Sequence, residues 1–474
     1  MTYKRGQEIM RCKPFTYTVC DNNVSSVCDN CLEENFYTLQ KCTRCHVVYY
    51  CNKNCQKIAW ENHHSFECKI LKQVESKTPM DSVRMLLRII HKLKNGGDKE
   101  TVELPNGKKR TYEDLMSHHE EMLNDSSKLD LANGILNVLQ TMISQVKHKN
   151  CEINDCTRCI VESFCNVNDI LKIVGKNLIN SHGIGEKLHT SYKMILAVIC
   201  NISLLQYPLG DPSEFSGSAY KATGLFLDAA VFDHQCNYNA VVIPADGKEI
   251  IIRAVEDVKN FEDLRISYIS SLSENTQKRR DELMKKYFFE CKCPKCLDEK
   301  GDGLKSSLIC EKCSGCVPIS TLICIDCNLT FENSSKINDF KQLKKNLGQV
   351  LLQEDNQGEI ISLYPKAISL LHAYDRDLCM ICDVIHEIDF LENPRRALKA
   401  GKNILVNYEK NGMTYSPAYA DIEKNCAHLC LNLKKVEEGK VHARKAEEIF
   451  SLIRREGHPD ILLSKEMISH LYNL

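Results

Sequence analysis

Cysteine clustering constrains this chain more than any other feature. The sequence holds 27 cysteines in 474 residues, and the dense ones fall into three groups. The first is Cys28-x2-Cys31, Cys42-x2-Cys45 and Cys51-x3-Cys55, followed by His63-His64 and Cys68. The second is Cys236 with the distant run Cys291-x-Cys293-x2-Cys296, and the third is Cys310-x2-Cys313 with Cys324-x2-Cys327. Thiolates two residues apart can grip one tetrahedral Zn²⁺ from a tight turn. In a long chain whose first residues, MTYKRGQEIMRCKPF, lack an apolar signal-peptide core, such pairs predict metal rather than disulfides. Cys200, Cys379 and Cys426 lie among apolar residues and read as small buried hydrophobes.

The first group offers eight ligands, enough for two closed sites. Cys51 and Cys55, and likewise His64 and Cys68, are four apart, the spacing of one helix face. Each such pair can complete a site begun by a Cys-x2-Cys turn. Cys28, Cys31, Cys51 and Cys55 are therefore assigned to one zinc, and Cys42, Cys45, His64 and Cys68 to the other, with His63 competing for the place of His64. The order and spacing of CDNC, CTRC, YYC, NKNCQKIAW and HSFEC resemble the MYND zinc finger. That resemblance implies a module that docks proline-rich peptides rather than DNA. Tyr49, Tyr50 and Trp60 would supply an aromatic groove, or the finger's own small core.

A formal net charge of −1 argues against global steering toward nucleic acid or membrane, and no helix pattern carries a basic stripe. The longest apolar run, 194–205, is too short to span a bilayer and contains Asn201. The chain therefore reads as intracellular, with no membrane span and no direct DNA binding.

Residues 224–296 carry a second set of motifs: GLFLDAAVFDHQCNYNAVV, IIIRAVEDVKNFEDLRISYISS and KYFFECKCPKC. Stretches 250–253 and 264–268 read as short strands, and Asp246-Gly247 marks a hairpin turn. These segments resemble the SET domain of protein lysine methyltransferases, and a SET domain interrupted by a MYND finger resembles the SET-and-MYND (SMYD) family. The resemblance implies an α+β, multidomain protein. Its β-rich SET fold would be split by the finger, followed by a post-SET zinc element and a C-terminal helical, tetratricopeptide-like domain. The divisions expected are 1–27 for truncated N-terminal SET strands, 28–68 for the finger, 69–223 for a helical insertion region and 224–290 for the SET core. The post-SET element would be 291–300, a zinc-ribbon-like insert 301–335 and the helical domain 336–474.

By the same resemblance Tyr268 would be the catalytic tyrosine. Asn180, Asp233, His234 and Phe289 would border S-adenosylmethionine, Phe289 on its adenine. Cys236, Cys291, Cys293 and Cys296 would hold one zinc. The substrate would be a lysine in a histone tail or another protein, in nucleus and cytoplasm. The sequence departs from the family pattern in three places. The family's Gly-x-Gly segment is expected just before Arg5-Gly6-Gln7, where this sequence has only Met1 to Lys4; Asp233 and Gln235 replace the usual Asn and Ser; and 186–214 reads as an insertion. A catalytically impaired, partner-binding scaffold is accordingly the alternative to the enzyme.

The third cysteine group reads as a zinc ribbon with ligands Cys310, Cys313, Cys324 and Cys327, for which Cys316 could substitute. The expected total is about four zinc ions. Cys151, Cys156, Cys159 and Cys165 lie close in sequence, but their single Cys-x2-Cys pair reads as ordinary thiols. The apolar positions Val83, Leu86, Leu87, Ile89, Ile90 and Leu93 predict an amphipathic helix, 95–109 a loop, and the stretch to about Lys149 further helix. Beyond 339, Ala397 and Ala443 open similar stretches that Gly412 and Gly457 close, the mark of a helical array.

Overall fold

The computed structural model describes residues 2–35, 38–73, 81–146, 156–164, 166–186, 220–351 and 357–473. The apolar run 194–205, the stretch 187–214, and Cys151, Cys165 and Cys200 lie outside the described residues. The chain divides into two compact units: Glu8–Phe232 with Val242–Ile252, and Met1–Gln7 with Asp233–Val241 and Arg253–Leu474.

In the first unit, strand Thr16–Val19 pairs antiparallel with Tyr220–Leu225, which pairs antiparallel with Ser181–Glu186. Strands Glu8–Cys12, Ile250–Ala254 and Ala240–Pro244, most of whose residues belong to this unit, form a second sheet in that order. The expected hairpin joins the last two, with Gly247 at φ +69°, a conformation glycine adopts without a Cβ penalty. Helix Asp81–Lys94 packs on strand Thr16–Val19 and buries Val83, Leu86, Leu87, Ile89 and Ile90. The same buried surface includes Arg84 and Arg88. Helices Ser126–Ser144 and Val167–Asn180 pack against each other, the first capped by Asp125 and the second by Asn166. The segment read as a loop at 95–109 contains strand Val102–Glu103, which pairs with Lys109–Arg110 across a turn at Gly107.

In the second unit, the short strand Asp233–His234 pairs parallel with Arg265–Ile266. Strand 264–268 is thus shorter than expected, and Tyr268 lies in a bend beyond its end. Strands Ser307–Ile309 and Cys316–Pro318 make a small antiparallel ribbon. Helices Ser334–Val350, Gln357–Leu370, Arg376–Glu392, Pro394–Lys410, Pro417–Asn432, Val436–Ile453 and Pro459–Tyr472 follow, each packed against the next. Gly412 follows helix Pro394–Lys410 with φ +65°, the left-handed stop expected there, whereas helix Val436–Ile453 closes at Arg454 in extended backbone and Gly457 (φ +71°) lies in the turn before Pro459–Tyr472. Tyr364, Ile404, Tyr419, Cys426 and Phe450 fill the core of the array. Among the described residues, no helix is long and apolar enough to cross a membrane.

Candidate metal centres and an aromatic cluster

Cys28, Cys31, Cys51 and Cys55 converge, with ligand atoms all within 4.8 Å of one another, and so do Cys42, Cys45, His64 and Cys68. His64 Nε2 lies 3.4 Å from Cys42 Sγ and 3.7 Å from Cys45 Sγ. The neighbouring His63 turns the other way, with Nε2 3.3 Å from Asp29 Oδ2 and its ring edge-on to Tyr17. The geometry therefore puts His64 in the ligand cluster and leaves His63 outside it. Cys51, expected on one helix face with Cys55, lies outside the helix. Cys51 precedes helix Lys53–Ala59, and Asn52 caps that helix by accepting from Cys55 N at 2.9 Å. The turn before the cap, not a shared helix face, brings Cys51 to Cys55. His64 and Cys68 do lie on continuous helical backbone, through a wider turn at Trp60–His64 and helix Ser65–Leu71.

Behind both clusters lies a network of buried charge. Glu67 Oε1 is 3.1 Å from His64 Nδ1, so the imidazole presents Nε2 to the thiolates. A carboxylate on the far nitrogen fixes the tautomer of a metal-binding histidine. Arg88 donates to both Glu67 oxygens, to both Asp29 oxygens and to the carbonyl of Tyr17. Burial alone would raise both carboxyls; the guanidinium outweighs it and holds Asp29 and Glu67 below the ordinary carboxylate range. The sequence carried a signal for Arg88: a cation at i+4 from Arg84 interrupts an otherwise apolar helix face. Of the three finger aromatics, Tyr50 is buried and belongs to the small core, whereas Tyr49 and Trp60 keep exposed surface.

Cys236, Cys291, Cys293 and Cys296 form the third cluster, and Cys310, Cys313, Cys324 and Cys327 the fourth. Cys316 stands apart from the ribbon cluster, buried in strand Cys316–Pro318. Four thiolates around one divalent ion carry net negative charge, and the fully buried Arg279 offsets it by donating to Cys296 Sγ at 3.3 Å. Soft thiolate and imidazole donors in closed groups of four suit Zn²⁺.

An aromatic cluster adjoins the third group. His234 Nδ1 accepts from Tyr268 N at 3.0 Å, so Nε2 carries the proton and faces Cys236 Sγ at 3.3 Å. Burial lowers the His234 pKa to about 4, which keeps the ring neutral. The Tyr268 ring lies 4.8 Å from that of Tyr287 and 6.4 Å from Phe289, while Phe289 is 6.0 Å from His234. Tyr287 Oη donates to the Tyr268 carbonyl at 3.3 Å. Tyr268, His234 and Phe289 are thus brought together, and Tyr287 is a member that sequence reasoning missed. Asp233 is exposed beside them on the same strand as His234. Asn180, in the other unit, ends helix Val167–Asn180 and donates to the carbonyls of Met116 and Lys176 at 2.8 and 2.7 Å. Both amide protons are spent there, so only its carbonyl oxygen remains to meet a ligand. Cys156 precedes helix Thr157–Ser163, and Cys159 lies in its first turn.

Residues 28–68, which hold the first two clusters, match the model of the MYND finger family. Curated relatives then extend the likeness over the rest of the chain. It is 24% identical to human "N-lysine methyltransferase SMYD2" over 474 residues, covering 99% of this chain and 94% of that protein. "N-lysine methyltransferase SMYD2-B" of Xenopus laevis is 24% identical over 465 residues, covering 96% and 92%. Human "Histone-lysine N-methyltransferase SMYD3" is 28% identical over 297 residues, or 63% of this chain and 58% of that protein. The chain thus spans little more than half the length of the SMYD3 proteins it matches. The resemblance to the SET-and-MYND family holds along nearly the whole sequence.

Proposed function

We propose that this protein is an S-adenosylmethionine-dependent protein lysine N-methyltransferase acting on a lysine of a histone or another protein. The observation that carries the reading is the Tyr268–Tyr287–Phe289 cluster beside the Cys236 group, in a chain similar end to end to curated lysine methyltransferases. The flat, half-buried faces of Tyr268 and Phe289 fit an adenine and a sulfonium, through stacking and cation–π attraction. S-adenosylmethionine supplies an electrophilic methyl on sulfur. The protein's own work is positioning. Its aromatic walls strip water from the lysine amine and so favour the neutral, nucleophilic form. The Tyr268 hydroxyl aligns the nitrogen lone pair with the methyl carbon. Bound S-adenosylmethionine would supply the methyl, its S–C electron pair remaining on sulfur, and the methylated ammonium would release its proton to solvent. His234 acts through Tyr268: its contact with the Tyr268 amide ties that backbone to the cysteine group.

The finger would dock proline-rich segments on Trp60 and Tyr49, and the protein would work in nucleus and cytoplasm. Calorimetric titration of the zinc-loaded chain with S-adenosylmethionine, followed by radiolabelled methyl transfer to mixed histones, tests the enzyme reading. Binding with transfer supports it. No heat sinks it and favours a partner-binding scaffold, a reading to which the engaged Asn180 amide lends weight.

A further inference from the structure

A fifth group of metal-binding side chains lies in the C-terminal helical array, far in sequence from the cysteine pairs. Cys430 ends the buried face of helix Pro417–Asn432, and Glu438 and His442 share a face of the next helix, Val436–Ile453. One ligand atom from each lies within 4.8 Å of the other two. Gly439 allows this approach: a Cβ there would stand 3.2 Å from Cys430 Cβ. His442 is also oriented from behind. Its Nδ1 is 2.5 Å from Oε2 of the buried Glu423, so Nδ1 keeps its proton and Nε2 holds the lone pair. This is the arrangement in which a carboxylate fixes the tautomer of a metal-bound imidazole.

We propose that Cys430, Glu438 and His442 bind a Zn²⁺ ion that staples these two helices together. Sulfur, nitrogen and oxygen donors in one set suit zinc, with a fourth position for water. Coordination releases the Cys430 thiol proton to solvent, while His442 keeps its Nδ1 proton, donated to Glu423. Lys402 and Lys435 pair with Glu438, but both are half exposed, and such pairs contribute little and yield readily to a divalent ion.

The test is equilibrium dialysis of the full chain against zinc buffers of rising free concentration, with metal counted per chain. The expected wild-type count is one zinc above the four expected of the cysteine-rich groups, each of which gathers four candidate ligands. Glu438→Gln, half exposed and harmless to packing, weakens the extra site by at least about tenfold. His442→Asn abolishes it. In wild type loaded first with four zinc ions per chain, added Co²⁺ develops a sulfur-to-cobalt charge-transfer band that Cys430→Ser removes. Zinc also raises the melting temperature of wild type above that of Glu438→Gln. No binding beyond four, an undiminished fifth zinc in Glu438→Gln, or a cobalt band that survives Cys430→Ser overturns the proposal.

Discussion

Arg88 Nε donates to Glu67 Oε2 at 2.9 Å, while the other Glu67 oxygen holds Nδ1 of His64 at 3.1 Å. A cation on a scaffold helix is therefore two hydrogen bonds from a zinc-cluster imidazole, and the same guanidinium reaches Asp29, next to Cys28 of the other cluster. Removing one partner of a buried ion pair leaves uncompensated charge. Arg88→Met is expected to destabilise the protein by about 3–5 kcal/mol, read from urea denaturation. It should also speed zinc loss to a chelator from both finger clusters.

The two adjacent histidines should separate cleanly. His64→Ala is expected to lower the zinc content by one ion per chain. His63→Ala should leave the count unchanged, because the His63 ring faces Asp29. Metal analysis of the two purified variants decides between them.

Tyr268→Phe keeps the ring packing against Tyr287 and deletes only the hydroxyl. Methyl transfer should fall by about a hundredfold or more in a radiolabel assay, with zinc content and melting temperature unchanged. Full activity in this variant would remove Tyr268 from the reaction.

Acid should weaken the helical array through His386. Burial lowers its pKa below the ordinary histidine value, and its Nδ1 lies 2.9 Å from the carbonyl of Ala397. The folded state thus resists a proton that the unfolded chain accepts below about pH 6.5. Between that pH and the lowered folded value the unfolded state binds more protons, so stability falls as pH falls. His386→Gln should flatten this slope in denaturation measured from pH 7 to 5.

The finger was legible because ligand spacing is local: two cysteines and a turn define most of a site. The choice between His63 and His64 was not, because it depends on which ring meets Glu67 and which meets Asp29, one of them distant in sequence. Cys51 misled in another way. Its spacing to Cys55 suits a helix, yet Asn52 between them is a strong capping residue and starts the helix one position later. In the helical array the glycine stop at 412 was readable, because left-handed backbone after a helix favours glycine, although Lys434 takes that conformation after helix Pro417–Asn432; Gly457 misled, since it lies in the turn before the next helix. Tyr287 escaped notice because its partner Tyr268 lies nineteen residues earlier and no periodicity links them. Arg84 and Arg88 could have been flagged as charges on an apolar stripe, but their partners could not be named without the fold.

The Arg88 network also bears on modularity. A finger cut out at residues 28–68 would keep every cysteine and lose the guanidinium that neutralises Asp29 and Glu67. Such a fragment would carry two stranded carboxylates beside its metal ligands. The smallest portable form of this finger is therefore not the cysteine-bounded segment but that segment together with the helix Asp81–Lys94.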